Sequence, residues 1–408
     1  MRKTLTLLIA VIVLAGCHHP STHRYNPASI NFKASYLPAM DHQLYPTLLL
    51  ATASSSANDS LPLFEVSLTS PTDDAVVRIV IDSSFLNYVT IFQETMPKRG
   101  ERYTFNPSIK WKYAVLRSLR QQGGVDLTFT CYVNDEEVDV ENIRLNYRSV
   151  NECPLSVRDT SGRTYETRWL FAAYVNEDHP FINQILTSVV DSGIISTFPG
   201  YQTGGAKKVD EQVFAIWYYA LDRGITYSSI SCTSNPSKRT NVQHIRFFDE
   251  VYNTRQANCV DACVFFASIL RKIGLKPVIF VEPCHAYLGY YTDKNRRKVE
   301  LLETTITAWV NFPEWKRTLD KNGRLSSKSY QQASKYLSDN EKRLYESGKL
   351  TFEEVKMRVA RNLFEKAKSY DLENYKANKA LFTDPSKITY QQVDVELLRE
   401  YVQPVSVN

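Results

Sequence analysis

Between residues 63 and 155 apolar and polar side chains alternate in short runs rich in β-branched and aromatic residues. The runs at 64–68, 76–81, 88–92, 125–133 and 138–150 are parted by turn-forming clusters such as Thr72-Asp73-Asp74 and Gly123-Gly124. Period-two patterning between such clusters predicts antiparallel strands. Asn134-Asp135-Glu136-Glu137 reads as the hairpin connection between the last two runs. Residues 111–119 read as a helical or extended crossover that adds aromatic core. The region as a whole predicts an antiparallel β-sandwich.

Beyond about residue 165 the period lengthens. Residues 169–175 read as a strand and 181–195 as a helix. A stronger helix at 211–223 carries Phe214, Ile216, Trp217, Tyr218 and Leu221 as a wide apolar stripe and stops at Gly224. From Asn258 to Gly274 nearly every residue before Arg271 is apolar or small, which marks a helix buried on almost all faces. Strands are predicted at 277–282, 285–291 and 299–303. Past residue 312 Lys, Glu, Ser and Tyr dominate, with helices near 327–347 and 351–369 and a closing element at 393–399. Thr351 and Glu354 form a capping-box pair at the start of the second helix. The fold class is therefore α+β. The predicted division is a leader at 1–16, a tether at 17–40, a β-sandwich at 41–155, a catalytic-type α+β unit at 156–312 and a helical extension packed on it at 313–408.

Of the 408 residues, 43% are hydrophobic and 23% charged, which excludes a disordered chain, a collagen-like chain and a bundle of membrane spans. The net charge of +5 includes Arg2 and Lys3 of the leader, and no basic stripe with interleaved aromatics occurs, so nucleic acid is not an expected partner. Met1-Arg2-Lys3, an apolar run at 4–15 and Leu14-Ala15-Gly16-Cys17 make a secretory leader too short to span a bilayer. The tetrapeptide resembles a bacterial lipobox. That resemblance implies lipidation of Cys17 and a body held outside the cytoplasm, in the bacterial cell envelope, by acyl chains. His18, His19 and His23 belong to the polar tether, where no Cys or carboxylate pattern supports a metal site.

Six further cysteines follow, at Cys131, Cys153, Cys232, Cys259, Cys263 and Cys284. No CxxC pair occurs among them, so zinc is not expected. Outside the cytoplasm, Cys131 and Cys153 are candidates for a bridge within the β-domain.

Asn258 is a good N-cap and Gly274 a good helix stop, so Cys259 falls at the first helical position. There the free amides and the positive end of the helix favour a thiolate. Cys263 lies one turn deeper among apolar neighbours and reads as packing. A turn centred on Lys294 places His285 directly opposite Glu303. Opposed side chains are about 5 Å apart at Cβ and can hydrogen-bond. A carboxylate on one imidazole nitrogen leaves the other for the thiol, which makes Cys259, His285 and Glu303 a candidate nucleophile, general acid–base and orienting acid. Each residue alone is weak evidence; a Cys opening a buried helix, with His and Glu on two adjacent strands a short way after it, is far more specific.

This order resembles the transglutaminase-like superfamily, papain-like in architecture. The resemblance rests on Asn258-Cys259-Val260-Asp261, Leu270-Arg271 with Gly274, Cys284-His285-Ala286 and Leu302-Glu303-Thr304-Thr305. It covers about 50 residues tightly and, with Trp217 and Gly224-Ile225-Thr226-Tyr227, about 90 loosely. It implies a Cys259–His285–Glu303 triad, an oxyanion hole built partly from the Cys259 backbone amide, and no metal or organic cofactor. Gln243 reads as helix-surface polarity rather than a second oxyanion donor. Cys284 stands where the family usually has Gly, and Glu303 is one methylene longer than the commoner Asp. The N-terminal sandwich, ending in Arg148-Ser149-Val150-Asn151-Glu152-Cys153-Pro154, more weakly resembles domains that precede this module in one bacterial branch of the superfamily.

The implied activity is acyl transfer through a Cys thioester, with a protein or peptide of the cell envelope as substrate. Hydrolysis of an amide or peptide bond is the favoured outcome, because water is the abundant acceptor. Transamidation that crosslinks proteins, a non-catalytic binding or scaffold lipoprotein and an adhesin working through the sandwich remain alternatives.

Overall fold

A computed structural model of the chain describes residues 24–53, 62–229, 233–234 and 236–405. The leader, Cys17, His18, His19, His23 and Cys232 lie outside the described residues. The architecture is mixed α+β. No described helix is long and apolar enough to cross a membrane.

The alternation in the N-terminal region translates directly into strands. In Ala75–Asp82 the residues Ala75, Val77, Ile79 and Ile81 point inward, and in Gly123–Val133 so do Val125, Leu127, Phe129, Cys131 and Val133. Asn134 and Asp135 both take positive φ (48° and 64°) and turn the chain tightly into Glu136–Tyr147. Five strands pair in the order Gln43–Leu44, Glu136–Tyr147, Gly123–Val133, Ala75–Asp82 and Thr90–Met96. A second sheet orders Lys33–Tyr36, Phe64–Thr69 and Arg102–Phe105. The two meet through their aromatics, with Phe64 5.4 Å from Phe129 between ring centroids. The 111–119 crossover contains the helix Tyr113–Ser118.

Several expectations are corrected here. The tether does not run to residue 40: Pro27–Ile30 is helical, Lys33–Tyr36 pairs with Phe64–Thr69, and Ile30 and Phe32 are buried. Ile30, Phe32, Ala34 and Tyr36 alternate with Asn31, Lys33 and Ser35, a short period-two signal hidden in an otherwise polar stretch. The boundary at 155 falls inside the strand Glu152–Arg158, which pairs with Thr164–Glu166 and with Thr240–His244. One continuous apolar core joins residues from Tyr25 to Val405. Cys131 and Cys153 are free thiols buried in different sheets, so they form no bridge. Residues 169–175 form no strand. Arg168–Leu170 is a tight turn of helix and Phe171–Tyr174 a short α-helix, all four of whose residues are buried. A short unbroken apolar run carries no period that could tell the two apart.

The helix Cys259–Lys272 packs against an antiparallel sheet ordered Val299–Leu302, His285–Tyr291, Pro277–Glu282 and Gln391–Asp394. The last strand comes from the C-terminal segment, so the predicted helical extension also supplies an edge strand of the central sheet. Its long helix, Phe352–Tyr370, has the predicted Thr351–Glu354 capping box and packs against Val299–Leu302. The predicted helix 327–347 is broken into Ser327–Ala333 and Asp339–Glu346, because Ser338 and Glu341 open a second capping box.

Glu177 locks the C-terminus to the cysteine-bearing helix. Its Oε1 accepts from Arg271 Nε (3.0 Å) and its Oε2 from Arg399 Nη2 (2.8 Å), and Arg399 also donates to the Ala172 carbonyl at 2.8 Å. Burial opposes the carboxylate, but the hydrogen bonds and charges of Arg399 and Arg271 outweigh it and bring Glu177 down to about 2. Because the folded value lies below the unfolded 4.5, this stabilisation is complete above 4.5 and is lost as pH falls towards 2. Glu177→Gln should cost about 2 kcal/mol near neutral pH. In urea melts across pH the gap to the wild type should close on acidification; a gap independent of pH would refute the ion-pair account.

Candidate active site

The start of the cysteine-bearing helix is built by reciprocal capping. Asn258 Oδ1 accepts from the Asp261 amide at 2.8 Å, and Asp261 Oδ2 accepts from the Asn258 amide at 2.9 Å. Asp261 is fully buried, and Arg246 serves it twice, through its backbone amide to Oδ1 (2.8 Å) and its guanidinium to Oδ2 (2.7 Å). Cys259 is thereby held at the first helical position, half-buried, among amides with no partner inside the helix. Cys263 is wholly buried, and burial pushes its thiol well above the ordinary range. The two cysteines share one face of the helix, so it is depth along it, Cys259 at the start and Cys263 one turn further in, that separates them.

His285 opens the strand His285–Tyr291 directly after a two-residue link. Glu282 pairs with His285, and Pro283-Cys284 makes the turn. Cys284 takes φ +66°, a conformation that favours Gly and costs an L-residue about 1 kcal/mol. Its side chain is exposed and unbridged.

The predicted hairpin register is off by two. Leu288 pairs with Leu302 and Tyr291 with Val299, so the turn centres on Asn295 rather than Lys294. The cause is Asp293, whose carboxylate gathers the amides of Asn295, Arg297 and Lys298 into a wider loop. An even shift keeps every side chain on its face. Glu303, just past the strand end, therefore reaches His285 diagonally, with 2.7 Å between Nε2 and Oε2.

Glu303 is 1% exposed. Its Oε1 accepts from the Thr305 amide at 2.7 Å, and its own amide donates to the Ala367 carbonyl of the long C-terminal helix at 3.0 Å. Burial works to raise its carboxyl, but the hydrogen bond and charge of His285 prevail and hold it low. For His285, burial opposes the imidazolium; hydrogen bonding with Cys259 and Glu303, and their charges, overcome it and lift the ring to about 10. With Nε2 engaged by Glu303, Nδ1 is the nitrogen left for the thiol. The three sequence-predicted residues thus come together, with His285 in the middle.

Cys259 and His285 line a cleft of about 360 Å³ whose apolar walls include Leu155, Phe171, Tyr227 and Val281. Arg168 and Glu282 add charge at its edge. Gln243 also lines the cleft, on the strand Thr240–His244 and not on a helix surface, with Nε2 donating to the His244 carbonyl at 3.0 Å. Its alternation with buried Val242 was the signal that could have placed it.

Two residues escaped the sequence reading as parts of the site. Arg246 carries no motif, although Asn258-x-x-Asp261 is legible as a capping box. Asp371 comes from the C-terminal segment, and its carboxyl, with His285 and Glu303, forms a trio whose polar atoms all lie within 4.8 Å. Such spacing alone admits a cation, but Glu303 is committed to His285 and Thr305, and no fourth His, Cys, Asp or Glu joins among the described residues. We assign no metal centre there. No protein-family model matches this chain, and no curated protein matches it.

Proposed function

We propose that this chain is a cysteine acyl-transfer enzyme with the papain-like core of the transglutaminase-like superfamily, and that it hydrolyses an amide or peptide bond. The observation that carries this reading is His285 bridging a cleft-lining thiol and a buried carboxylate. The two N-terminal sheets are then the β-sandwich that precedes the catalytic module.

In the first step the Cys259 thiolate attacks the substrate carbonyl carbon, forming a C–S bond. The oxyanion faces the backbone amide of Cys259 at the helix start. The His285 imidazolium gives its proton to the nitrogen as the C–N bond breaks, and the amine leaves. Water then attacks the thioester carbonyl while His285 takes its proton, the C–S bond breaks, and the carboxylic acid leaves with the Cys259 thiolate and His285 imidazolium restored. Glu303 keeps the ring in the tautomer and orientation both steps need. An amine in place of water would give a crosslink by the same steps. A cleft of this size, with apolar walls and Cys259 and His285 in its lining, leads us to expect a peptide-like substrate.

Incubation with a library of peptides, with and without a primary amine, tests the chemistry by mass spectrometry. Cys259→Ala should abolish turnover, His285→Ala should lower kcat by about 10²–10⁴, and Glu303→Gln should cost less. Turnover that survives Cys259→Ala would overturn the mechanism. No turnover of any peptide, with retained binding, would favour the scaffold reading.

The basic start, short apolar run and Leu14-Ala15-Gly16-Cys17 support a second proposal, that Cys17 carries acyl chains that hold the protein at the bacterial envelope. Labelled fatty acid should enter the wild type and not Cys17→Ser; equal incorporation would refute the anchor.

A further inference from the structure

Asp371 is a buried ionisable group that the chemistry above leaves unused. It follows the helix Phe352–Tyr370 and stands at the N-cap of the next, Leu372–Asn378. Aspartate at that position ordinarily turns its carboxylate onto the free amides of the helix. Here the side chain makes no capping bond. The residue is 8% exposed, and its carboxyl lies within 4.8 Å of the polar atoms of Glu303 and His285. Its Oδ2 is completely buried and has no donor facing it.

An ionised carboxylate accepts hydrogen bonds and donates none. Two ionised carboxylates side by side, away from water, repel strongly, and one of them keeps a proton. Glu303 is the one that ionises, because the His285 ring and the Thr305 amide both donate to it. Asp371 has no comparable donors. The remaining arrangement that satisfies both groups is a protonated Asp371 whose O–H points at Glu303.

The other charged or titratable groups around Asp371 fit this. Glu282 adds negative charge, whereas His285 opposes it with positive charge. Tyr287, whose hydroxyl is also buried without a partner, and Cys263 of the cysteine-bearing helix both feel the charge of Asp371, and Tyr375 of the following helix donates its amide to the Asp371 carbonyl. Burial first, then the hydrogen bond and charge of Glu303, raise Asp371 to about 7.

We propose that Asp371 is a protonated positioning acid whose O–H donates to Glu303 and holds that carboxylate against His285. The role rests on the triad reading above. It makes the C-terminal segment part of the active site, approaching from behind the triad rather than over the cleft.

Three readouts on the purified protein test it. The infrared carbonyl band of a protonated carboxylic acid should be present near pH 6, vanish as pH rises through about 7, and be missing from Asp371→Asn. The folded acid holds a proton that the unfolded chain releases above 3.8, so the wild type loses stability as pH rises from there through about 7. The melting temperature of Asp371→Asn should accordingly gain on the wild type between about pH 5 and about pH 8. Alkylation of Cys259 should stay within about twofold of wild type in Asp371→Asn, whose amide still donates, and fall about tenfold in Asp371→Ala. Labelling of exposed Cys284 should be unchanged in both.

No band lost in Asp371→Asn, or wild-type alkylation in Asp371→Ala, would overturn the proposal. So would a zinc-dependent rise in melting temperature abolished by Asp371→Asn, which would put a cation where the proton is assigned. If wild-type Cys259 alkylates no faster than Cys284, the triad reading fails and the positioning role with it; the infrared band still decides the protonation independently.

Discussion

The buried Glu303 carboxylate is the constraint on which the site depends. A charge taken out of water is tolerated only where other groups replace its solvation. At Glu303 these are the His285 ring, the Thr305 amide and the Asp371 carboxyl. Satisfying the carboxylate orients the imidazole, and orienting the imidazole leaves its other nitrogen for Cys259. The same residue ties the central sheet to the long C-terminal helix through the Ala367 carbonyl. Stability and chemistry therefore draw on one group.

A second buried carboxylate, Asp261, does for the thiol what Glu303 does for the imidazole. It caps the helix start reciprocally with Asn258 and is neutralised by Arg246. The Cys259 backbone is fixed while its side chain stays half-buried at the cleft. Glu177, clamped by Arg271 and Arg399, fastens the far end of the same helix to the C-terminus. Three carboxylates, each with arginine or histidine partners, hold the helix and the sheet in mutual register.

The candidate site was largely legible in the sequence because its parts are local. A capped, buried helix and two strands shortly after it span under 50 residues, and their periods place Cys259 and His285 and bring Glu303 close. Even the misplaced turn did no harm, since a shift of two preserves the face. What the sequence concealed was non-local. Asp371 lies 68 positions beyond Glu303, in a segment whose pattern announces only helices. The edge strand Gln391–Asp394 is likewise set by a distant partner, Pro277–Glu282. The run at 169–175 failed for another reason: an unbroken apolar stretch has no period to read.

The proposal stands or falls on whether His285 activates the Cys259 thiol. The most direct measurement is the rate of iodoacetamide labelling of Cys259 against pH, read by peptide mass spectrometry in the wild type and in His285→Ala. Labelling of Cys259 should outrun that of exposed Cys284 in the wild type and lose that advantage in His285→Ala, while buried Cys263 stays unlabelled. Labelling of Cys259 that follows an ordinary thiol and is unchanged in His285→Ala would contradict it.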